Sequence, residues 1–173
     1  MFFCAGRTEL FEFAEPIGVG LVESSIRLTK KLTTSLYEKI VFIGSAGSYG
    51  EVEVGEICKS TKAYNVELSS LLKKSFTPIE DFVEIGNVPH GTLINSSNYI
   101  TSSKDSSELF LGKGLEIENM EAFSFLSVAK HCGLDAEVIL IVTNYCHEDA
   151  HREYLSNLKS SMKKLEEYVR EYR

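Results

Sequence analysis

The chain has 173 residues, of which 43% are hydrophobic and 25% charged, a balance typical of folded globular proteins. Its formal net charge of -7, with no basic patch, disfavours a nucleic-acid partner because phosphate backbones repel an acidic surface. No apolar run approaches the roughly 20 residues that a membrane span needs, so we expect a cytoplasmic protein without a membrane partner, folded as one domain over residues 1–173.

Short apolar runs predict six strands. In chain order they lie at residues 2–5, 10–14, 40–43, 53–58, 92–95 and 138–142, and those at 10–14 and 53–58 are the less regular. The runs IVFI at 40–43 and VILIV at 138–142 are continuously apolar, which is typical of strands buried on both faces of a sheet. Such strands imply helices above and below the sheet.

Helical patterns lie between and after these strands. One helix is predicted at residues 19–32, behind the turn GVG, and another from Asn119, a residue type that caps helices, to Gly133. The polar, serine-rich stretch 96–107 is expected to be a surface loop. The last helix has the clearest amphipathic stripe, formed by Leu155, Leu158, Met162, Leu165, Val169 and Tyr172.

The alternation of strands and helices predicts an α/β fold, specifically a three-layer α/β/α sandwich with a central mixed β-sheet. Ligands bind such sheets where the carboxyl ends of the strands meet the following loops. Candidate site residues are therefore sought at those ends.

Three segments offer ligand chemistry, and each also has an ordinary structural explanation. In GSAGS at 44–48, small residues let a ligand approach backbone N–H groups and Ser45 can bond an anion or sugar oxygen, but the segment could also be only a tight turn. Glu121 either supports a helix start or grips the vicinal hydroxyls of a ribose. Asn144 either caps a loop or recognises a ring nitrogen beside a carbonyl.

A fourth segment, residues 147–151, matches the pattern HExxH. In that pattern two His bind zinc and the Glu is the general base of a peptidase. The polar surroundings and the lack of a compelling further ligand favour a surface helix start instead. A zinc peptidase built on His147, Glu148 and His151 is kept as a remote hypothesis.

The order of five segments resembles the purine nucleoside phosphorylase and methylthioadenosine nucleosidase superfamily over most of the chain. The segments are GVG, IVFIGSAGSYGEVEVGEI, HGTLINSSNYI, ENMEAFSFLSVAKHCGL and VILIVTN. In that family a Gly-Ser/Thr-Ala-Gly turn is followed closely by a V-G-[DE]-[IV] strand, matched here by residues 54–57. The resemblance implies a nucleoside phosphorylase-like fold in a shortened member, with the deficit before Gly18 and between Glu51 and His90.

The resemblance also implies roles for five residues. Met120 and Glu121 are similar to the pair that binds the ribose hydroxyls, and Tyr99 falls where an aromatic side chain stacks on the purine base. Ser45 falls on the turn that lines the site of phosphate or attacking water. Asn144 falls where nucleosidases and many bacterial phosphorylases have an Asp that protonates N7, but trimeric phosphorylases, which prefer 6-oxopurines, also have Thr-Asn there. An amide can hydrogen-bond N7 and O6, so Asn144 is expected to act in catalysis without donating a proton outright.

The segment GRTELFE, residues 6–12, resembles the family in two mutually exclusive ways. As the exit of the first strand, it makes Glu9 comparable to the carboxylate that activates water in nucleosidases. As the Gly-Arg-x-His-x-Tyr-Glu segment of trimeric phosphorylases, it makes Arg7 a phosphate ligand. Phe42 stands where hexameric phosphorylases have a phosphate-binding Arg, which leaves Arg7 as the obvious phosphate cation of this chain.

The activity that the resemblance favours is phosphorolysis of purine ribonucleosides, 6-oxopurines first, to the free base and ribose 1-phosphate. Inorganic phosphate would be the co-substrate, no cofactor or metal would be needed, and the protein would be a homo-oligomer. The alternatives are a hydrolytic purine nucleosidase of the methylthioadenosine type, a catalytically weak member that binds nucleosides or scaffolds an assembly, and the zinc peptidase.

Overall fold

Strands and helices alternate along the chain, as an α/β fold requires. The computed structural model of the protein describes residues 1–86 and 91–172, and His90, the first residue of HGTLINSSNYI, lies outside them. The elements are β1 (Phe2–Cys4), β2 (Ala14–Pro16), α1 (Leu21–Leu32), β3 (Lys39–Ser48), β4 (Ile57–Ser60), β5 (Lys62–Tyr64), α2 (Leu68–Leu71), β6 (Phe82–Glu84), β7 (Ile94–Asn95), α3 (Lys104–Gly112), β8 (Ile117–Glu118), α4 (Ala122–His131), β9 (Asp135–Tyr145) and α5 (Ala150–Tyr172).

Two long parallel strands, β3 and β9, form the middle of the sheet. They pair from Lys39 beside Asp135 to Ser48 beside Tyr145. β1 runs parallel to β3 and is followed by β2, whereas β4 runs antiparallel to β9. The carboxyl end of β3 also pairs antiparallel with β8, from which the sheet continues through β7 and β5 to β6. The described strands thus form the predicted mixed sheet.

Helices cover both faces of the sheet. Successive side chains of β3 point to opposite faces, so each face has an apolar core that a helix buries. The first core contains Phe42 of β3 and Phe125 of α4, and the second contains Ile43 of β3 and Leu165 of α5. All four side chains are fully buried. The predicted three-layer α/β/α architecture is confirmed.

The two internal helices predicted from the sequence are present with small changes at their ends. α1 begins directly after GVG. α4 begins at Ala122 rather than at Asn119, but the Asn119 side chain still caps it by accepting hydrogen bonds from the N–H groups of Glu121 at 2.9 Å and Ala122 at 2.8 Å. Gly133 follows α4 with a φ of 68°, as its predicted position requires. None of the helices in the described ranges is long and apolar enough to cross a membrane.

Two strands begin later than the sequence pattern predicts. β2 starts at the end of the run 10–14, because a turn closed by a 3.2 Å hydrogen bond from the Ala14 N–H to the Phe11 carbonyl precedes it. β4 lies at the end of the run 53–58 because Gly55, with a φ of 90°, turns the chain first. Alternation of side chains alone could not distinguish these turns from extended backbone.

The stretch 96–107 is not a loop throughout, because α3 begins within it. The side chain of Ser103 accepts a hydrogen bond from the N–H of Ser106 at 3.2 Å, which starts the helix. Phe110 is buried and anchors the helix to the rest of the molecule. The predicted loop is therefore wrong from Lys104 onward, where α3 begins.

The segment GSAGS is strand rather than turn. β3 continues through residues 44–48 and stays paired with β9, with one bulge before Gly47. Its small residues allow close contacts and do not form a bend. At Gly44 an added Cβ would lie 2.9 Å from the Glu9 carboxylate, and at Gly47 it would lie 2.7 Å from the Cys146 sulfur. Substitutions at these two glycines would displace side chains that the strand end supports.

The amphipathic stripe of α5 is buried unevenly, which gives a matched pair of variants. Leu165 is fully buried, whereas Leu155, on the same helix, is 58% exposed. We expect Leu165→Ala to lower the free energy of unfolding by about 2–5 kcal/mol because it opens a cavity between α5 and the sheet. Leu155→Ala should change it by less than about 0.5 kcal/mol. Urea denaturation of both variants measures this, and equal losses would contradict the packing described.

Candidate active site

The carboxyl ends of β1, β3 and β9 open into a cleft of about 290 Å³. Because these strands are parallel, the residues that follow them meet at one edge of the sheet. All the site residues predicted from the sequence line this cleft: Arg7, Glu9, Ser45, Tyr99, Met120, Glu121 and Asn144. The structure thus brings the predicted set together, while the role of each member stays a prediction.

The Glu9 carboxylate is bound to the end of β3. Ser45 donates to it twice, from its backbone N–H to Oε2 at 2.9 Å and from its hydroxyl to Oε1 at 2.5 Å. The Tyr154 hydroxyl donates to Oε1 at 3.4 Å. Burial raises the pKa of Glu9, and these hydrogen bonds oppose that rise because they stabilise the ionised form.

Glu9 and Arg7 lie in one tight loop but differ in their exposure to solvent. Gly6 and Arg7 have φ values of 92° and 56°, and the Glu9 N–H donates to the Gly6 carbonyl at 3.1 Å. A positive φ is uncommon for a residue such as Arg, so the turn is held in place by its surroundings. Glu9 is half-buried, whereas Arg7 is exposed and forms no ion pair with any residue in the described ranges.

Glu121 is 3% exposed and joins the starts of two helices. Its Oε1 accepts a hydrogen bond from the N–H of Gly20, the residue before α1, at 2.8 Å, and its Oε2 accepts one from the Asn119 amide at 3.1 Å. Burial, together with the nearby negative charge of Glu9, raises the pKa of Glu121 to about 7. The side chain does not cap its own helix, and each carboxylate oxygen keeps a lone pair for a ligand.

Asn119 links the end of β3 to the start of α4. Its amide donates to the Ser45 carbonyl at 2.9 Å as well as to Glu121, while its Oδ1 accepts from the first N–H groups of α4. From the sequence, Asn119 is expected only to cap a helix. The structure adds that Asn119 links Glu121 to Ser45, the residue that binds the Glu9 carboxylate.

Asn144 lies where β9 bulges past β3. The pairing register shifts so that Thr143 is skipped and Asn144 lies opposite Gly47. The Thr143 hydroxyl donates to Asn144 Oδ1 at 2.9 Å, and the Asn144 amide donates to the Tyr145 carbonyl at 3.1 Å. One amide hydrogen and one oxygen lone pair are left for a ligand.

Two further predicted residues, Met120 and Tyr99, also line the cleft. Met120 is half-buried beside Glu121, and Tyr99 is 79% exposed. The Tyr99 ring is therefore accessible to a planar ligand, which is what a stacking role needs.

Glu118 and Tyr154, which sequence reasoning missed, also line the cleft, as does His151, which the sequence suggested only as a remote zinc ligand. Glu118 accepts hydrogen bonds from the Thr101 N–H at 2.9 Å and the Tyr49 hydroxyl at 3.1 Å, and burial raises its pKa. It also lines an adjoining cavity of about 160 Å³. The three-residue spacing of His151 and Tyr154, which places both on one helix face, was the available signal for that pair.

The HExxH segment does not form the arrangement that zinc needs. α5 begins only at Ala150, so His147 lies outside the helix and is not one helical turn from His151. His147 pairs with Glu153 at 3.2 Å, while the His151 ring stacks on Tyr154 with centroids 6.4 Å apart. Within residues 1–86 and 91–172, no group of three His, Cys, Asp or Glu could hold a metal ion. The geometry gives the peptidase hypothesis no support.

Comparison with known proteins gives structural neighbours at low identity, and no curated protein matches the chain. The native futalosine hydrolase of Helicobacter pylori is 16% identical with a TM-score of 0.81, and the match covers 98% of this chain and 94% of that one. An Asp-to-Asn mutant of the Helicobacter pylori methylthioadenosine nucleosidase, with 5′-methylthioadenosine in its active site, is 16% identical with a TM-score of 0.83 over 98% and 95%. The 5′-methylthioadenosine/S-adenosylhomocysteine nucleosidase of S. pneumoniae is 12% identical with a TM-score of 0.78 over 97% and 95%.

These similarities establish the nucleoside phosphorylase-like fold. The family model described as the phosphorylase superfamily matches residues 13–172. Arg7 and Glu9 precede the matched range, and only the folded chain shows that they line the same cleft as the residues within it. With nearly the whole chain matched by that model, the protein belongs to the phosphorylase superfamily.

Proposed function

We propose that the protein hydrolyses the N-glycosidic bond of purine ribonucleosides to the free base and ribose. The observation that carries this proposal is the pair of hydrogen bonds from Ser45 to Glu9. Both donors of Ser45 are directed at a carboxylate, and a phosphate there would meet a second anion. Water carries no charge and can be activated by that same carboxylate.

In the proposed step, Glu9 takes a proton from water as the water oxygen bonds to C1′. The bond from C1′ to N9 breaks, and its electron pair stays on the base. Positive charge develops on the sugar in an oxocarbenium-like transition state, and the carboxylates of Glu9 and Glu121 stabilise it. Glu121 accepts hydrogen bonds from the ribose hydroxyls, and Met120 packs against the sugar.

The base is proposed to stack on Tyr99 with its N7 and O6 edge at Asn144. An amide stabilises the charge that develops at N7 by donating a hydrogen bond, but it cannot transfer a proton. This favours 6-oxopurines such as hypoxanthine or guanine over adenine. That the Helicobacter pylori nucleosidase mutant holds 5′-methylthioadenosine in its active site supports nucleoside binding by a fold of this kind.

Phosphorolysis is the second candidate, and Arg7 is the observation in its favour. Arg7 lines the cleft, is exposed and has no ion pair within the described residues, so it is available to an anion. Phosphate could then bind in the cleft beside Ser45 if Glu9 were protonated or displaced from Ser45. The homo-oligomeric state and the cytoplasmic location expected from the sequence remain predictions under either candidate.

The deciding experiment follows release of free base from inosine, guanosine, adenosine and methylthioadenosine by chromatography, with and without phosphate. Release of hypoxanthine or guanine that does not depend on phosphate is expected. Release only with phosphate would establish phosphorolysis instead. Binding of nucleosides without release from any of them would favour the binding or scaffold member. Metal analysis of the purified protein tests the peptidase hypothesis, which requires stoichiometric zinc.

Glu9→Gln and Arg7→Gln, two variants of one loop, should separate the candidates. We expect Glu9→Gln to lower kcat about 100-fold or more because water loses its general base. Arg7→Gln should leave phosphate-free turnover within about threefold, since Arg7 bonds nothing that the proposed step uses. The reverse order of effects in steady-state assays would contradict the hydrolytic proposal and favour a phosphate site at Arg7.

The affinity for ribonucleosides should rise with pH because Glu121 binds the ribose as a carboxylate. Its pKa of about 7 means that the ionised fraction increases roughly tenfold between pH 6 and pH 8, and KM should fall accordingly. A 2′,3′-dideoxynucleoside lacks both hydroxyls and is the control ligand. If its binding, measured by calorimetry, strengthens with pH by the same factor, the role of Glu121 is contradicted.

A further inference from the structure

We infer that Tyr154 is a positioning residue that orients the Glu9 carboxylate for proton abstraction from water. This inference rests on the hydrolytic role proposed for Glu9. Tyr154 belongs to α5 and lines the cleft, but it is not among the residues that the resemblance to the family implies for the site.

The hydrogen bonds around Tyr154 have one consistent direction. Its hydroxyl lies 2.9 Å from the Thr8 hydroxyl and 3.4 Å from Glu9 Oε1. An ionised carboxylate has no hydrogen to give, so the phenol donates to Glu9 and Thr8 donates to the phenol oxygen. Stacking against His151 restrains the Tyr154 ring in this position.

The two oxygens of Glu9 are consequently not equivalent. Oε1 accepts from both the Ser45 hydroxyl and the Tyr154 hydroxyl, which uses both of its lone pairs. Oε2 accepts from the Ser45 N–H alone among the described residues. Oε2 is therefore the oxygen that takes the proton from water, and Tyr154 fixes the rotation of the carboxylate that presents it.

Several charged or titratable groups lie around Glu9. They are Cys4 of β1, Arg7 of the same loop, Glu121 before α4, and His151 and Tyr154 of α5. Burial disfavours ionisation of Glu9, whereas the hydrogen bonds from Ser45 and Tyr154 favour it. Removal of the Tyr154 hydroxyl should therefore raise the pKa of Glu9.

The direct test is a carbon-13 NMR titration of the glutamate carboxyl groups in the wild type and in Tyr154→Phe, with Glu9 assigned from the signal lost in Glu9→Gln. We expect the midpoint of Glu9 to move up by about half a unit to one unit, as loss of a long hydrogen bond to a charged group implies. Tyr168→Phe is the control, because Tyr168 lies on the same helix but packs against the second core instead of lining the cleft, and it should leave the midpoint unchanged. This titration needs no turnover, so it stands even if the proposed hydrolysis fails.

The kinetic test is the pH profile of kcat for phosphate-free base release. In Tyr154→Phe the acidic limb should move to higher pH by the same interval, kcat below pH 6 should fall about three- to tenfold, and KM should stay within about twofold. Thr8→Val, which removes the donor to the phenol oxygen, should give a smaller shift in the same direction. An unmoved Glu9 midpoint in Tyr154→Phe, or the same shift in Tyr168→Phe, would overturn the inference.

Discussion

The parallel pairing of β3 with β9 is the interaction on which the rest of the molecule depends. Both strands are buried on both faces, so their side chains build the core toward α4 on one side and toward α5 on the other. The pairing continues past the apolar residues into GSAGS and Thr143-Asn144, and it is there that the register slips. A regular ladder would have turned Asn144 to the other face, because a shift of one residue reverses the side on which a strand side chain lies. The bulge thus determines which side chain enters the cleft.

The cleft concentrates three buried or half-buried carboxylates, those of Glu9, Glu118 and Glu121. Burial raises the pKa of each, and each is held by donors from distant parts of the chain: Ser45 for Glu9, Gly20 for Glu121, and Thr101 for Glu118. Such a cluster is costly for an empty site, because desolvation and mutual repulsion both oppose ionisation. A ligand that becomes positively charged during the reaction relieves this repulsion, as an oxocarbenium-like sugar does. A phosphate would increase it.

Much of the fold could be predicted from the sequence because its signals were local. Continuous apolar runs marked β3 and β9, and the capping residues Asn119 and Gly133 marked α4. The errors occurred where local patterns were ambiguous: GSAGS has the composition of a turn, yet its small residues make room for Glu9 and Cys146 in a paired strand. The serine-rich start of α3 looked like a loop because the burial of Phe110, which stabilises the helix, depends on distant residues.

The candidate site could likewise be predicted only in part from the sequence. The seven residues found from motif order all line the cleft, because the order of parallel strands brings their carboxyl ends to one edge. The partners of those residues could not be found, since Tyr154 and Glu9 are 145 residues apart and no local pattern joins them. The position of Glu9 beside Ser45 also required coordinates, because only the folded chain shows that both Ser45 donors are directed at that carboxylate.

In the proposed reaction, the amide of Asn144 determines how the departing base is stabilised. The proposed hydrolysis leaves a proton on Glu9 and an electron pair on the departing base, and Asn144 cannot connect the two by proton transfer. The base must then leave as an anion that hydrogen bonds can stabilise, or take its proton from solvent through the open side of the cleft. A 6-oxopurine spreads that negative charge over O6 as well as the ring nitrogens, so an amide donor at this edge lowers its barrier more than that of adenine. In the proposed reaction, the cleft therefore disfavours phosphate at Ser45 through its carboxylates and selects the base through the amide of Asn144.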